Sequence, residues 1–160
     1  MTIENIPLSS IDVLTLIPQK PPFVMIDTLE SVDGNDTVTT FTVRPDNIFL
    51  EGDTLNACAL IENIAQNCAA RLGYINLINR NRVKLGFIGS IKNLRVLRRP
   101  RLGETLTTTV TVLESVLQLT MVSAVIRVAH ETIVTAEMKI ALSDIDASPT
   151  PQQPNEKLTP

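Results

Sequence analysis

Most of the chain reads as short apolar runs separated by turn residues. One stretch, "TLNACALIENIAQNCAARLGY" (Thr54–Tyr74), breaks that pattern. From Thr54 to Ala70 it holds one formally charged residue, Glu62, among apolar, small or neutral amide side chains. A surface helix normally opposes an apolar stripe to a charged face. This stretch predicts a helix covered on most sides, with one carboxylate kept inside. Asp53 or Thr54 is the expected N-cap, and Gly73 the expected end. At helical spacing Asn56, Glu62, Asn63, Gln66 and Asn67 form a polar wedge, with Glu62/Gln66 and Asn63/Asn67 as i, i+4 pairs.

The flanking pattern is different. Ser9-Ser10 could cap a brief helical turn around Ile11–Leu16. "IPQKPPF" carries three prolines within five residues, which hold the backbone extended. "FVMIDTLESV" reads as a strand, Asp33-Gly34-Asn35-Asp36 as a turn, and "TVTTFTVRP" as the returning strand, with Thr39, Phe41 and Val43 sharing one face. "RPDNIFLEGD" is expected to be a loop. Beyond the helix four strands are expected: Val83–Leu97 with a break near Gly86 and Gly89, Glu104–Leu113, Leu119–Ala129 and Thr132–Leu142. In the last, Val134, Ala136, Met138, Ile140 and Leu142 line one face. Two strands, one long helix and four strands predict an antiparallel α+β domain with its sheet wrapped against the helix. The expected domain is residues 1–145. The Pro-rich, apolar-poor segment 146–160 reads as a disordered tail.

Composition narrows this picture. The chain has 160 residues, no Trp and few aromatics, so its core is aliphatic. Cys58 and Cys68 lie on one predicted helix, about 15 Å apart at the helical rise, too far for an intrachain disulfide. No secretory signal and no apolar run long enough to span a bilayer is present, so a cytoplasmic setting is expected. The net charge of −3 hides a division. Residues 1–62 hold ten acids and two bases, residues 63–103 nine bases and no acid, and residues 104–160 seven acids and three bases. The basic block from Arg80 to Arg101 admits three readings. It is a solvated face, a nucleic-acid site, or a dock for a small acidic protein or a phosphate-bearing arm. The scarcity of aromatics and the acidic whole argue against nucleic acid.

Glu62 is the first candidate for chemistry. Burial would raise its pKa toward the range of a general acid or base. The structural alternative is a helix carboxylate at a subunit edge, bonded to Gln66 or nearby amides. His130, the single histidine, falls at a predicted hairpin tip and reads as a surface residue. One His and two dispersed Cys give no zinc motif, no context supports a Ser–His–Asp triad, and "GFIGS" lacks the spacing and lysine of a phosphate loop. No metal or other cofactor is expected.

Two stretches resemble the hotdog-fold 3-hydroxyacyl-(acyl carrier protein) dehydratases. "LIPQKPPFVMIDTLESV" (Leu16–Val32) is similar to that family's "LLPHR-PFLLVDR" segment, and "LIENIAQNCAA" (Leu60–Ala70) to its central-helix "ExMAQ" segment. A weaker likeness runs through "VKLGFIGSIKNLRV" to about residue 143. The resemblance implies a hotdog fold, with Glu62 at the catalytic acidic position. Gln66, Asn63, Gly52 and Phe23 would support the site or line a substrate tunnel. It departs where the family places a histidine in a Gly-His-Phe-Pro loop. Here "LEGDTLN" has Gly52, but Asp53 stands at or near the histidine position, and Gln19 replaces the first motif's histidine. In this the chain resembles the accessory dehydratase-like proteins of aryl-polyene biosynthesis.

The resemblance implies several roles. The chain would be a dehydratase of fatty-acid or polyene biosynthesis acting on acyl thioesters, with Glu62 as acid and Asp53 as an unusual base. A thioesterase is the second enzymatic reading. A non-catalytic subunit that lends Glu62 to a histidine-containing paralogue is the third, the chain being either a homodimer or the heterodimer that this reading needs. A module that binds an acyl chain on an acyl carrier protein is the fourth, with Arg95, Arg98, Arg99 and Arg101 as docking residues.

Overall fold

The structure is a computed structural model that describes residues 6–146. The expected tail, residues 147–160, lies outside the described residues. The elements are β1 (Thr28–Asp33), β2 (Asp36–Thr42), β3 (Leu50–Glu51), β4 (Thr54–Leu55), α1 (Ala57–Asn79), β5 (Lys84–Val96), β6 (Thr105–Val116), β7 (Leu119–Val128) and β8 (Glu131–Asp146). Six strands form one antiparallel sheet in the order β1-β2-β6-β7-β8-β5, and β3 pairs with β4 in a separate hairpin. The sheet curls around α1. This is the hotdog arrangement that the resemblance implied.

The alternation in the sequence accounts for the faces. Thr37, Thr39, Phe41 and Val43 turn inward from β2 and its end, and Val134, Ala136, Met138 and Ile140 turn inward from β8. Phe41, Val43 and the four β8 residues meet Leu60 and Ile64 of α1 in the main core. A smaller core joins Val13, Leu16, Ile17, Ile26 and Leu29 to Ala70. β5 is irregular where glycines were expected to break it. Its register against β8 shifts around Gly86, Gly89 and Asn93.

Several boundaries differ from the sequence reading, each for a local reason. Asp53 is in the β3–β4 turn and Thr54 is in β4, so neither caps α1. Asn56 does, its side chain accepting from the Cys58 N–H. Gly73 does not end the helix, which runs on to Asn79 and stops at Arg80 in the left-handed conformation. Gly73 is there for contact: a Cβ would come within 2.0 Å of the Leu16 carbonyl oxygen. The strand expected from Phe23 starts only at Thr28. Residues 23–25 are instead held by helix side chains. The supposed loop 44–53 carries β3, and the expected helical turn is split into two short 3-10 turns, Leu8–Ser10 and Val13–Thr15.

The helix is also less enclosed than its composition suggested. One stripe, including Ala59, Leu60, Asn63, Ile64, Asn67 and Ala70, is fully buried. Glu62, Ala65, Cys68, Ala69 and Leu72 are only half-buried. Glu62 is therefore not sealed in the core. It lies on the side of α1 left partly open. No helix among the described residues is long and apolar enough to cross a membrane.

Candidate functional site

The site begins with what fixes the second turn of α1. Gln66 is fully buried and uses both ends of its amide. Its Oε1 accepts from the Met25 N–H at 2.6 Å, and its Nε2 donates to the Phe23 carbonyl at 2.6 Å and to Glu62 Oε1 at 2.9 Å. Asn63, one position from Glu62, donates to the Met25 carbonyl at 2.7 Å and accepts from the Thr108 hydroxyl at 2.6 Å. The helix thus supplies the partners that a neighbouring strand would otherwise give residues 23–25. An unpaired buried amide is costly, so these bonds fix the segment firmly. Asn67 extends the buried network to Thr39 Oγ1 and the Thr37 and Thr108 carbonyls. The expected Asn63/Asn67 pairing is replaced by these separate bonds to the sheet.

Glu62 sits in a groove walled by Gln19, Lys20, Pro21, Pro22, Phe23, Phe49 and Cys58. Pro21-Pro22 is a cis peptide bond. Phe23 is 55 % exposed and meets Phe49 edge-on, with ring centroids 6.4 Å apart. Gln66 engages one carboxylate oxygen of Glu62 and leaves the other to the groove. The groove therefore presents one oriented carboxyl group among the apolar Pro21, Pro22, Phe23 and Phe49 and the polar Gln19 and Lys20, suited to exchanging a proton with a bound substrate.

The other expected residues lie elsewhere. Asp53 and Gly52 form the exposed β3–β4 turn, with Gly52 at φ +62°. Neither lines the groove, so within one chain Asp53 is not brought to Glu62. His130 is exposed in the β7–β8 turn, also outside the groove. Arg98 is held between Glu104 and Glu131 at 2.8 Å from each. Its guanidinium holds both carboxyls below the usual range, and they raise its own pKa further. Arg99 is 2.5 Å from Glu51, which it likewise holds low. Arg95 and Arg101 are exposed and form no ion pair among the described residues.

Sequence reasoning passed over Cys58 and Phe49. Cys58 was findable, since it lies four residues before Glu62 on the same helix face. Phe49 reaches the groove from a loop whose path no local pattern encodes. Cys58 and Cys68 are both free. Burial pushes the Cys68 thiol up to about 12, so it remains a neutral, apolar wall.

The comparisons with known proteins bear on the family and the fold. The model of the ApeP-like family, described as ApeP dehydratase, matches residues 11–150. No curated protein matches the sequence. Among solved structures, the chain is similar to the dehydratase heterocomplex ApeI:P from Xenorhabdus doucetiae, with a TM-score of 0.79, 19 % identity, and coverage of 84 % of this chain and 92 % of that one. It is similar to the Escherichia coli PaaI protein from the phenylacetic acid degradation operon (TM-score 0.57, 20 % identity, 71 % and 80 % covered). It is also similar to a hypothetical thioesterase with coenzyme A from Streptococcus pneumoniae (TM-score 0.57, 11 % identity, 72 % and 84 % covered). At these identities the structural matches establish the hotdog fold.

Proposed function

The chain belongs to the ApeP-like dehydratase family, and from that premise we propose that it is the carboxylate-bearing half of a two-chain dehydratase for 3-hydroxyacyl thioesters, carried on an acyl carrier protein in polyene biosynthesis. One observation carries this reading. Glu62 is oriented by Gln66 in a groove whose other lining residues include neither a histidine nor a second carboxylate.

Dehydration needs two groups. A base removes the α-proton, and its electron pair forms the α,β double bond. An acid protonates the 3-hydroxyl, which leaves as water. Glu62 serves as the acid, through the oxygen that Gln66 does not occupy. The base is an imidazole brought by a histidine-containing paralogue. The similarity to a structure described as a dehydratase heterocomplex supports a second, different chain as the partner.

β5 is the fitting edge for the partner. It is thirteen residues long, ends the sheet, and exposes Phe87 (51 %) and Ile88 (40 %) beside the open side of α1. Long apolar edge strands are normally covered or paired. A strand added there continues the sheet and sets a second helix next to Glu62.

The test is to assay this chain alone, the paralogue alone and the two purified together, on 3-hydroxyacyl thioesters. Turnover by the mixed complex alone, lost with Glu62→Gln, is the expected result. Equal turnover by this chain as a homodimer, or a mixed complex indifferent to Glu62→Gln, overturns the reading.

A further inference from the structure

The outer face of the sheet, turned away from α1, has an apolar end that the Glu62 groove does not use. Ser115, Thr120, Ile140 and Leu142 point inward, where they line one cavity with residues of α1. By strand alternation their neighbours Val116, Leu119, Met121 and Ala141 point outward. The register sets these in two cross-strand rows. Val116, Leu119 and Ala141 lie side by side on β6, β7 and β8. Glu114, Met121 and Lys139 form the next outward row. Leu113, the extra residue where the β6–β7 register shifts, is exposed as well.

Leu117 stands at the tip of the β6–β7 hairpin, 98 % exposed and at φ +56°. Two-residue hairpin turns favour Asn and Gly at such a position. A leucine there exposes its whole side chain and strains the backbone, with nothing in the lone chain to offset either. Leu113, Val116, Leu117, Leu119 and Met121 together expose about three whole side chains, on the order of 500 Å². A standard interface takes about 800 Å² from each partner, about 500 Å² of it apolar. Glu114 and Lys139 stand on either side of Met121, about 10 Å apart at the strand spacing. Neither forms an ion pair among the described residues.

We propose that this patch binds a second copy of this chain, face to face, about a two-fold axis that runs along β7. Such an axis keeps each row in place and exchanges β6 with β8. Leu119 and Met121 then meet their own copies. Val116 meets the small Ala141 of the other copy, and Glu114 meets its Lys139, in two symmetric pairs. Arg127 limits the contact. It is exposed on β7 between Thr107 and Thr132, where it would face its own copy, so the sheets part towards that end. Sheets packed face to face cross at about 30°, which suits such an opening. The charges beside the patch are of both signs and matched by row, which favours a second copy over an anionic lipid surface. The interface leaves Glu62 and the β5 edge free, joins two heterodimers, and does not depend on the dehydratase function.

The test is sedimentation velocity of the purified full chain over a range of concentrations at low salt. The wild type self-associates. Glu114→Lys or Lys139→Glu alone sets like charges face to face and weakens the association about tenfold or more. The two together restore it to within about twofold of the wild type. Leu119→Lys, whose charge meets its own copy on the axis, weakens it further than either single reversal. These side chains face solvent in the lone chain, so melting temperatures stay near that of the wild type. A monomeric wild type overturns the proposal. So does self-association indifferent to both single reversals, which would place the contact at another face such as the β5 edge. A double reversal no stronger than the single ones also overturns it, because Glu114 then does not meet Lys139. A monomeric wild type that floats with vesicles containing phosphatidylglycerol, and stops doing so as Leu117→Asn, assigns the patch to a lipid surface instead.

Discussion

Two sets of carboxylates in this molecule are held in opposite ways. Glu62 is bonded by the neutral amide of Gln66. Glu51, Glu104 and Glu131 are bonded by the guanidinium groups of Arg99 and Arg98. The Gln66 amide fixes where Glu62 is without bringing a countercharge. A guanidinium supplies the opposite charge as well, which favours the ionised form. The first arrangement leaves one oxygen of the carboxyl group to the groove. The second ties the segment after β5 to the β3–β4 hairpin and to the starts of β6 and β8. Much of the basic block that suggested a docking surface is therefore internal cement.

The largest effect that can break this contrast is at Glu62 itself. Glu62→Gln preserves the shape and the Gln66 contact, yet removes the proton donor. Turnover by the mixed complex should fall about 100-fold or more, with little change in melting temperature. Loss of folding instead would place Glu62 with the structural carboxylates. Next comes Gln66→Leu, which strips the Phe23 carbonyl and the Met25 N–H of buried partners as well as freeing Glu62. It should cost about 1–3 kcal/mol per unsatisfied group, read by denaturant unfolding, and should lower turnover as well. A fall in turnover with no loss of stability would mean that Gln66 acts on Glu62 alone.

The contrast also marks how far the sequence could be read. The helix, the six main strands and the inward faces of β2 and β8 were legible because burial imposes a period on side chains. Glu62 and Gln66 were legible as an i, i+4 pair. Gly73 misled because a glycine needed for close approach to Leu16 looks the same in sequence as one that ends a helix. The state of Arg98 and Arg99 was hidden for a different reason. Their partners, Glu51, Glu104 and Glu131, arrive from three separate elements, and no local spacing records such meetings. Asp53 stood near a motif position, but the short β3–β4 turn holds it outside the groove.

A smaller effect tests the cemented side. Arg98→Met should lower the melting temperature by a few degrees at neutral pH, since partly exposed ion pairs contribute modestly. The sign of its pH dependence follows from Glu104 and Glu131, whose pKa values the Arg98 guanidinium lowers. In the folded state they bind fewer protons than in the unfolded state. Their contribution is therefore present above the ordinary Glu range, about 4.3, and is lost as pH falls through the lowered values. The melting gap between wild type and Arg98→Met should accordingly close in acid. A gap independent of pH would assign the loss to packing of the side-chain stem.

The smallest expected effect concerns Arg95 and Arg101, the two docking candidates that the ion pairs leave free. Arg95 projects from β5 where it pairs with Thr135, and Arg101 lies beside the β3–β4 hairpin through a bridge to Thr54. Neither supports a carboxylate of this chain by an ion pair, so changing them should leave stability unaltered. An acidic carrier domain approaching the groove would still feel their field. Reversal of both to Glu should weaken carrier-protein binding up to about tenfold at low salt, and added salt should shrink the difference, because exposed charges are screened within about 10 Å at 0.1 M. Arg98→Met should leave that affinity unchanged, its charge already being answered by Glu104 and Glu131. If Arg98→Met weakens binding as much as the double reversal does, the division between cement and free charge fails, and the block acts as one surface.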